Sequence, residues 1–195
     1  MTVHALHPPI TQDAAQQVKI HLAAALRLAV LDEFEEGIDN HFTACVPSRP
    51  DQYFVLPFGL HWSEAKASDM MIFNEAGQTI EGRGVVELSC QTIHAPLHRI
   101  TGAKVVLHTH QPWATALNML QDNRLVPATQ TAAFFHGRIA HFTGHTLAHE
   151  ALKIRSRGQL LDIVHRRKWL LGLWFWRHRG LGIHAGGRHY GVWCT

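Results

Sequence analysis

The sequence predicts an α/β domain in which helices cover a central sheet. Three observations carry that expectation. Val18, Leu22, Leu26, Ala29, Val30 and Phe34 recur at three- and four-residue intervals, giving one apolar helix face. Short runs rich in aromatic and β-branched residues, bounded by Pro, Gly or Asn, follow as strands. The two kinds of segment intermix along the chain, as a layered α/β domain requires. The chain has 195 residues and a mass of 22.0 kDa, enough for one domain with a well-buried core. Its 46% hydrophobic and 17% charged content is that of a globular protein.

Each element has a local reason. Thr11 is suited to cap the first helix, and the acidic run "DEFEE" leads to Gly37 as its stop. "NHFTACV" and "YFVLP" read as strands joined by the loop "PSRPDQ". "SEAKASDM" reads as a short Ser-capped helix, "MIFN" as a strand, "NEAGQ" as a turn and "SCQTIHAPLHRI" as a helix. In "AKVVLHTH", Val105, Val106 and Leu107 form a continuous apolar run between Gly102 and Pro112, which indicates a strand. "QPWATALNML" opens a helix with Pro near its first turn, and "GRIAHF" is a further strand. No internal repeat or low-complexity segment appears.

Charge and cysteine content narrow the function classes. The formal net charge is +3, but it is unevenly spread. Residues 1–143 carry 9 Lys and Arg against 13 Asp and Glu, a net of −4, whereas residues 144–195 carry 9 against 2, a net of +7. No basic-region motif or heptad pattern accompanies the basic tail, so nucleic acid is not an expected partner. Cys45, Cys90 and Cys194 are odd in number and widely spaced, which suits a reducing cytoplasm rather than a disulfide framework. There is no signal-peptide pattern, and the longest strongly apolar run, "WLLGLWFW", is far shorter than the roughly 20 residues of a membrane helix. A soluble protein is expected.

His108-Thr109-His110 ends the apolar strand. With 17 histidines, random placement alone yields about 1.5 His-x-His pairs, so the spacing by itself is weak. Its position is more informative. Residues i and i+2 of a strand share a side, so both imidazoles aim at one point, at the C-terminal strand end where open α/β sheets place ligands. Catalytic zinc sites commonly use three such protein ligands and leave one position open. His94 and His98, spaced i, i+4, share a helix face and read on spacing alone as a satisfied pair.

The succession "EEGIDNHFTACVP", "FVLPFGLHWSEAKASDM", "IHAPLHRITGAKVVLHTHQPWATAL" and "ATQTAAFFHGRIAHF" resembles the class II aldolase and adducin family, in order, from about residue 18 to 143. The resemblance implies a three-layer α/β/α domain with a mostly antiparallel sheet over residues 18–143, an N-terminal extension at 1–17 and a diverged basic tail at 144–195. It further implies a divalent metal, zinc, held by His108 and His110. The family takes its third zinc histidine from a strand ending in Asn-His-Gly; the counterpart is His178, 68 residues after His110, with Arg177 in place of the Asn and Arg179 before Gly180.

Other family positions are altered. In the first phosphate loop, Gly-Asn-x-Ser ahead of an Arg, His41 replaces Asn, Thr43 replaces Ser and Cys45 replaces Arg. The second loop, Thr-x-Ser-Gly, is "LPFG" and keeps only Gly59. His41, Thr43 and Gly59 are thus the implied substrate-binding positions, and the lost hydroxyls and cation argue against a phosphate dianion. The acid/base carboxylate of the family belongs four residues before His94, where Cys90 stands; Glu87 is the nearest carboxylate and the catalytic candidate. As a bland alternative, Glu87 is a solvated residue preceding a helix.

These departures resemble the adducin-type branch. The implied activity is a metal-dependent lyase that cleaves or decarboxylates a small hydroxy-carbonyl or hydroxy-acid compound through a metal-stabilised enediolate. A small-molecule substrate and a homo-oligomer come with that reading; membrane partners do not. The alternative is a non-catalytic, adducin-like interaction module or an inactive truncated member. The tail, with four of the six tryptophans, reads as a diverged interaction segment or as the product of a shifted reading frame. The abrupt change of composition favours the shift, and a loosely packed tail is expected.

Overall fold

A computed structural model describes residues 12–136, 139–141, 170–175 and 190–194. Among these, eight strands form one sheet: β1 (His41–Val46), β2 (Arg49–Val55), β3 (Met71–Asn74), β4 (Thr79–Glu81), β5 (Val105–His108), β6 (Ile139–His141), β7 (Leu170–Phe175) and β8 (Tyr190–Cys194). Their order across the sheet is β4-β3-β2-β1-β5-β8-β7-β6. Only the β5–β8 pair is parallel. The helices are α1 (Gln12–Leu31), α2 (Ala95–Thr101), α3 (Pro112–Asn118) and α4 (Gln130–Phe135). This is the layered α/β architecture with a mostly antiparallel sheet. No described helix is long and apolar enough to cross a membrane.

Strand alternation builds two cores on opposite faces. Phe42, Ala44 and Val46 of β1, Phe54 of β2 and Ile72 of β3 pack with Leu22, Leu26 and Ala29 of α1. The residues between them, Tyr53, Val55, Met71 and Phe73, pack with Val86, Cys90 and Ala95 on the other side. Each fully buried Leu or Phe contributes roughly 1.5–3 kcal/mol, so both faces are firmly covered. The second face also receives His41, Thr43, Val106 and His108, because they share the alternation of Tyr53 and Val55 through the β1–β2 and β1–β5 registers.

Several boundaries differ from the sequence expectation. α1 ends at Leu31 rather than near Gly37, because Glu33 adopts a left-handed φ of +56° and the Phe34 N–H turns back to the Ala29 carbonyl at 2.9 Å. The loop "PSRPDQ" is mostly strand: Val46 pairs with Arg49 across a tight turn in which Ser48 has a φ of +65°. Pro50 is tolerated because it lies at the β1–β2 irregularity and before β3 pairing begins at Gln52. "SEAKASDM" gives two 3-10 turns, Trp62–Glu64 and Ala67–Asp69, instead of a helix. The helix around His94 opens as a π-helical segment, Cys90–His94. β4 and α4 had no sequence expectation behind them. β5 stops at His108, since β1 offers it no partner beyond His41; the His110 N–H bonds to the Phe34 carbonyl at 3.2 Å instead.

Residues 1–11, Thr11 included, and most of the tail, His178 included, lie outside the described residues, whereas residues 12–17 of the expected N-terminal extension belong to α1. Two tail segments, β7 and β8, are strands of the same sheet, with β8 directly beside β5.

Candidate metal centre

The β1–β5 register sets His41 opposite His108 and Thr43 opposite Val106. Above them, the π-helical segment and α2 carry His94 and His98, whose i, i+4 spacing turns both rings down onto Thr43. A π turn is an uncommon element that often accompanies functional sites. Here it lets the chain enter α2 with Cys90, Thr92, Ile93 and His94 all buried. His41, His94 and His108 each offer a ligand atom, all within 4.8 Å of one another, and all three residues are buried. His110 joins at the edge: its Nε2 and His108 Nε2 share a hydrogen bond at 3.1 Å in the metal-free chain, so one of the two nitrogens carries the proton there.

Hydrogen bonds fix the proton positions. The Ala103 carbonyl can only accept, so His98 donates from Nδ1 at 2.7 Å. Burial holds the pKa of His98 down to about 4, so the ring is neutral and its Nε2 is an acceptor. The Thr43 hydroxyl therefore donates to His98 Nε2 at 2.8 Å, in preference to the Val106 carbonyl at 3.5 Å. Its oxygen then accepts from His94 Nδ1 at 2.7 Å. Glu36 takes a bond from His110 Nδ1 at 2.7 Å, the carboxylate–histidine pairing that orients metal ligands.

Burial keeps the cluster uncharged. It lowers the pKa of His108 to about 3, helped by His110 and His41, and drives that of His94 well below the usual value. Burial lowers His41 to about 4 against the opposing pull of Glu87. Metal binding requires neutral imidazoles, so these rings need shed no proton at pH 7. Buried Nε2 of His94 and both ring nitrogens of His41 lack hydrogen-bond partners among the described residues. An imidazole donor set with unsatisfied buried nitrogens fits a divalent transition-metal ion. Two nitrogens on one tetrahedral ion stand about 3.3 Å apart, close to the His108–His110 separation; the wider trio would have to draw inward.

Each sequence-derived position other than His178, which lies outside the described residues, can be located. His108 and His110 converge. Glu87 lies at the rim, its Oε2 3.5 Å from His41 Nε2, close enough for attraction but not aligned as a hydrogen bond. That oxygen also accepts from the Ser89 and Cys90 N–H groups and from the Ser89 hydroxyl. Cys90, in the expected carboxylate position, is a fully buried thiol whose pKa burial raises. Thr43 is fully buried with its hydroxyl committed to two imidazoles. Gly59 and His41 line a small pocket that also contains Asn40, Phe58 and Trp62.

The Class II Aldolase and Adducin N-terminal domain model matches residues 20–171. The chain belongs to the class II aldolase and adducin family. Rat alpha-adducin is 30% identical over 66% of this chain and 18% of its own length. The decarboxylase NovR of Streptomyces niveus is 29% identical over 72% of this chain and 55% of its own length. Among solved structures, an aldolase II superfamily protein of Pseudomonas syringae superposes with a TM-score of 0.69 at 25% identity, covering 80% of this chain and 63% of the other. L-fuculose 1-phosphate aldolase of Glaciozyma antarctica shares the fold at a TM-score of 0.67 and 23% identity, covering 84% and 64%. This family member spans about half the length of its bacterial relatives, 54% and 55% in two of them.

Four residues of the histidine cluster and the adjoining pocket escaped the sequence reading: His94 and His98 as rings facing the cluster, Glu36 as the partner of His110, and Asn40 in the pocket wall. The i, i+4 histidines were the visible signal for the first two. What they face, however, is set by Thr43, 51 and 55 residues earlier in the chain.

Proposed function

We propose that this class II aldolase-family chain is a divalent-metal-dependent lyase, acting by carbon–carbon cleavage or decarboxylation on a small, unphosphorylated hydroxy-carbonyl or hydroxy-acid compound. Zinc is the ion, with His108 and His110 as primary ligands. The observation that carries the reading is the 3.1 Å approach of their two Nε2 atoms at the C-terminal end of β5, beside two further buried imidazoles. When bound, the ion supplies Lewis acidity to a substrate oxygen.

The chain's own residues supply the rest. His41 belongs both to the cluster and to the wall of the adjoining pocket, which places the two side by side. Asn40, at the same end, is buried with both amide atoms unpartnered among the described residues, offering a donor and an acceptor to a hydroxyl or carbonyl group. No Lys or Arg lines the pocket among the described residues, which fits an uncharged or singly charged substrate better than a phosphate dianion. Glu87 Oε2 is fixed by its three donors; Oε1 carries none of these bonds and is the oxygen able to exchange a proton. The decarboxylase relative supports the lyase class. A homo-oligomer in the reducing cytoplasm completes the reading, in keeping with the free Cys45 and Cys90.

Elemental analysis of protein purified without chelators tests it. Stoichiometric zinc is expected, lost in His108→Ala, with no micromolar binding of fuculose phosphate or ribulose phosphate at low salt. A chain that stays metal-free after zinc reconstitution would instead be a non-catalytic module, the reading to which the alpha-adducin resemblance then points.

A further inference from the structure

We propose that His94 is the third imidazole ligand of the metal centre, and that Thr43 and His98 are positioning residues that hold it in its ligating tautomer. The proposal rests on the metal reading above. It assigns the third place to a residue of the π-helical segment rather than to His178.

The argument starts at a group with a single possible role. The Ala103 carbonyl accepts from His98 Nδ1 at 2.7 Å, His98 Nε2 accepts the Thr43 hydroxyl proton at 2.8 Å, and Thr43 Oγ1 accepts from His94 Nδ1 at 2.7 Å. Each link fixes the next, so the only proton on neutral His94 sits on Nδ1 and its Nε2 carries a lone pair. Thr43 and His94 are 0% exposed and His98 is 3%, so bulk solvent cannot compete for these bonds. Tyr53 stacks on His98 at 4.4 Å with an interplanar angle of 10°, which fixes the far end of the chain.

A pair of histidines serving packing alone would be expected to satisfy all its nitrogens. His94 Nε2 is buried and has no hydrogen-bond partner among the described residues. The rings around it are His41, with centroids 5.8 Å apart, and His108, at 6.2 Å. Its ring thus lies among other imidazoles, each offering a ligand atom within 4.8 Å of the others, a neighbourhood suited to sharing a cation. A ligating imidazole held through its other nitrogen by a fixed acceptor is the arrangement that tunes metal affinity, and its loss typically costs about 10–100-fold.

The deciding experiment reads tautomers directly. In metal-free wild-type protein labelled with 15N-histidine, long-range 1H–15N correlation should show His94 protonated on Nδ1 only. Zinc should then move the His94 Nε2 resonance together with that of His108, while Nδ1 keeps its proton. Zinc affinity, measured by competition with a chromophoric chelator, should fall at least about tenfold in His94→Gln and about 10–100-fold in Thr43→Val, with Thr43→Ser restoring most of it. A merely structural Thr43 would lower thermal stability and leave zinc affinity unchanged. If Thr43→Val does not fold, the wild-type spectra still decide. A proton on His94 Nε2, or a zinc shift at His108 with none at His94, overturns this assignment alone. No zinc shift at any histidine overturns it together with the metal reading beneath it.

Discussion

At Glu87 one carboxylate meets two demands. Its Oε2 gathers the Ser89 N–H at 2.6 Å, the Ser89 hydroxyl and the Cys90 N–H at 3.2 Å, which otherwise would be orphan donors at the entry to the π-helical segment. The same oxygen stands 3.5 Å from His41 Nε2 and places negative charge at the edge of an uncharged histidine cluster. The first role predicts a stability effect that needs no substrate to measure. Glu87→Ala should cost about 0.5–2 kcal/mol in urea unfolding of the metal-free protein, the usual value of an N-terminal capping acceptor. Glu87→Gln, which keeps an oxygen acceptor, should cost less. Equal stability of Glu87→Ala and wild type would reduce the residue to the solvated carboxylate that sequence alone also allowed. At this same scale the His108–His110 pair was visible in the sequence as a His-x-His at the end of an apolar run, but strand alternation does not place it: β5 ends at His108, and His110 is set by the turn that follows.

Between β4 and the π-helical segment the chain must pass close over β3, and glycine makes that passage possible. Gly82 has a φ of +94°, and a Cβ there would meet Met71 Cβ at 2.8 Å and Met71 Cα at 3.0 Å. Gly59, with a φ of +92°, has nothing within 4 Å of such a Cβ. The pair separates backbone strain from steric approach. Gly59→Ala should cost about 1 kcal/mol for its left-handed φ alone, and Gly82→Ala about 2–4 kcal/mol, because backbone atoms of β3 cannot step aside. Thermal unfolding of the two variants checks the difference; equal losses would mean the loop yields without disturbing β3. The sequence could not have announced this contact, since "TIEGRGVVE" carries no trace of which strand lies beneath it. Element legibility follows the same division. Val105–Leu107 and "MIFN" declared themselves through apolar runs, which depend only on burial. The α1 end, the π turn and the break-up of "SEAKASDM" are set by what the chain packs against. His94 and His98 stayed ambiguous for that reason: any helix produces an i, i+4 pair, and only β1 decides what the pair faces.

For the molecule as a whole, enclosing four neutral imidazoles beneath one helical layer ties stability to pH. Burial lowers His41 and His98 to about 4 and His108 to about 3, and pushes His94 well below its usual value, whereas all four titrate near 6.5 when unfolded. Well above pH 6.5 neither state is protonated, and the folded protein has its full stability. As the pH falls from 6.5 toward 4, the unfolded chain takes up protons that the folded one refuses, so folding weakens. Each such histidine contributes a slope of up to about 1.4 kcal/mol per pH unit, reduced by mutual repulsion within the cluster. Against a total stability of about 5–15 kcal/mol, a few of these slopes acting together are decisive. The metal-free protein should therefore lose most of its stability between about pH 6.5 and pH 4.5, before most carboxylates titrate. Excess zinc should raise the urea midpoint near pH 7, and the gain should vanish toward about pH 5, where protons compete for the ligand nitrogens. Urea titrations across that range, with and without zinc, measure both slopes. A flat midpoint down to about pH 5 would mean that solvent reaches the cluster and that its rings titrate as freely in the folded chain as in the unfolded one.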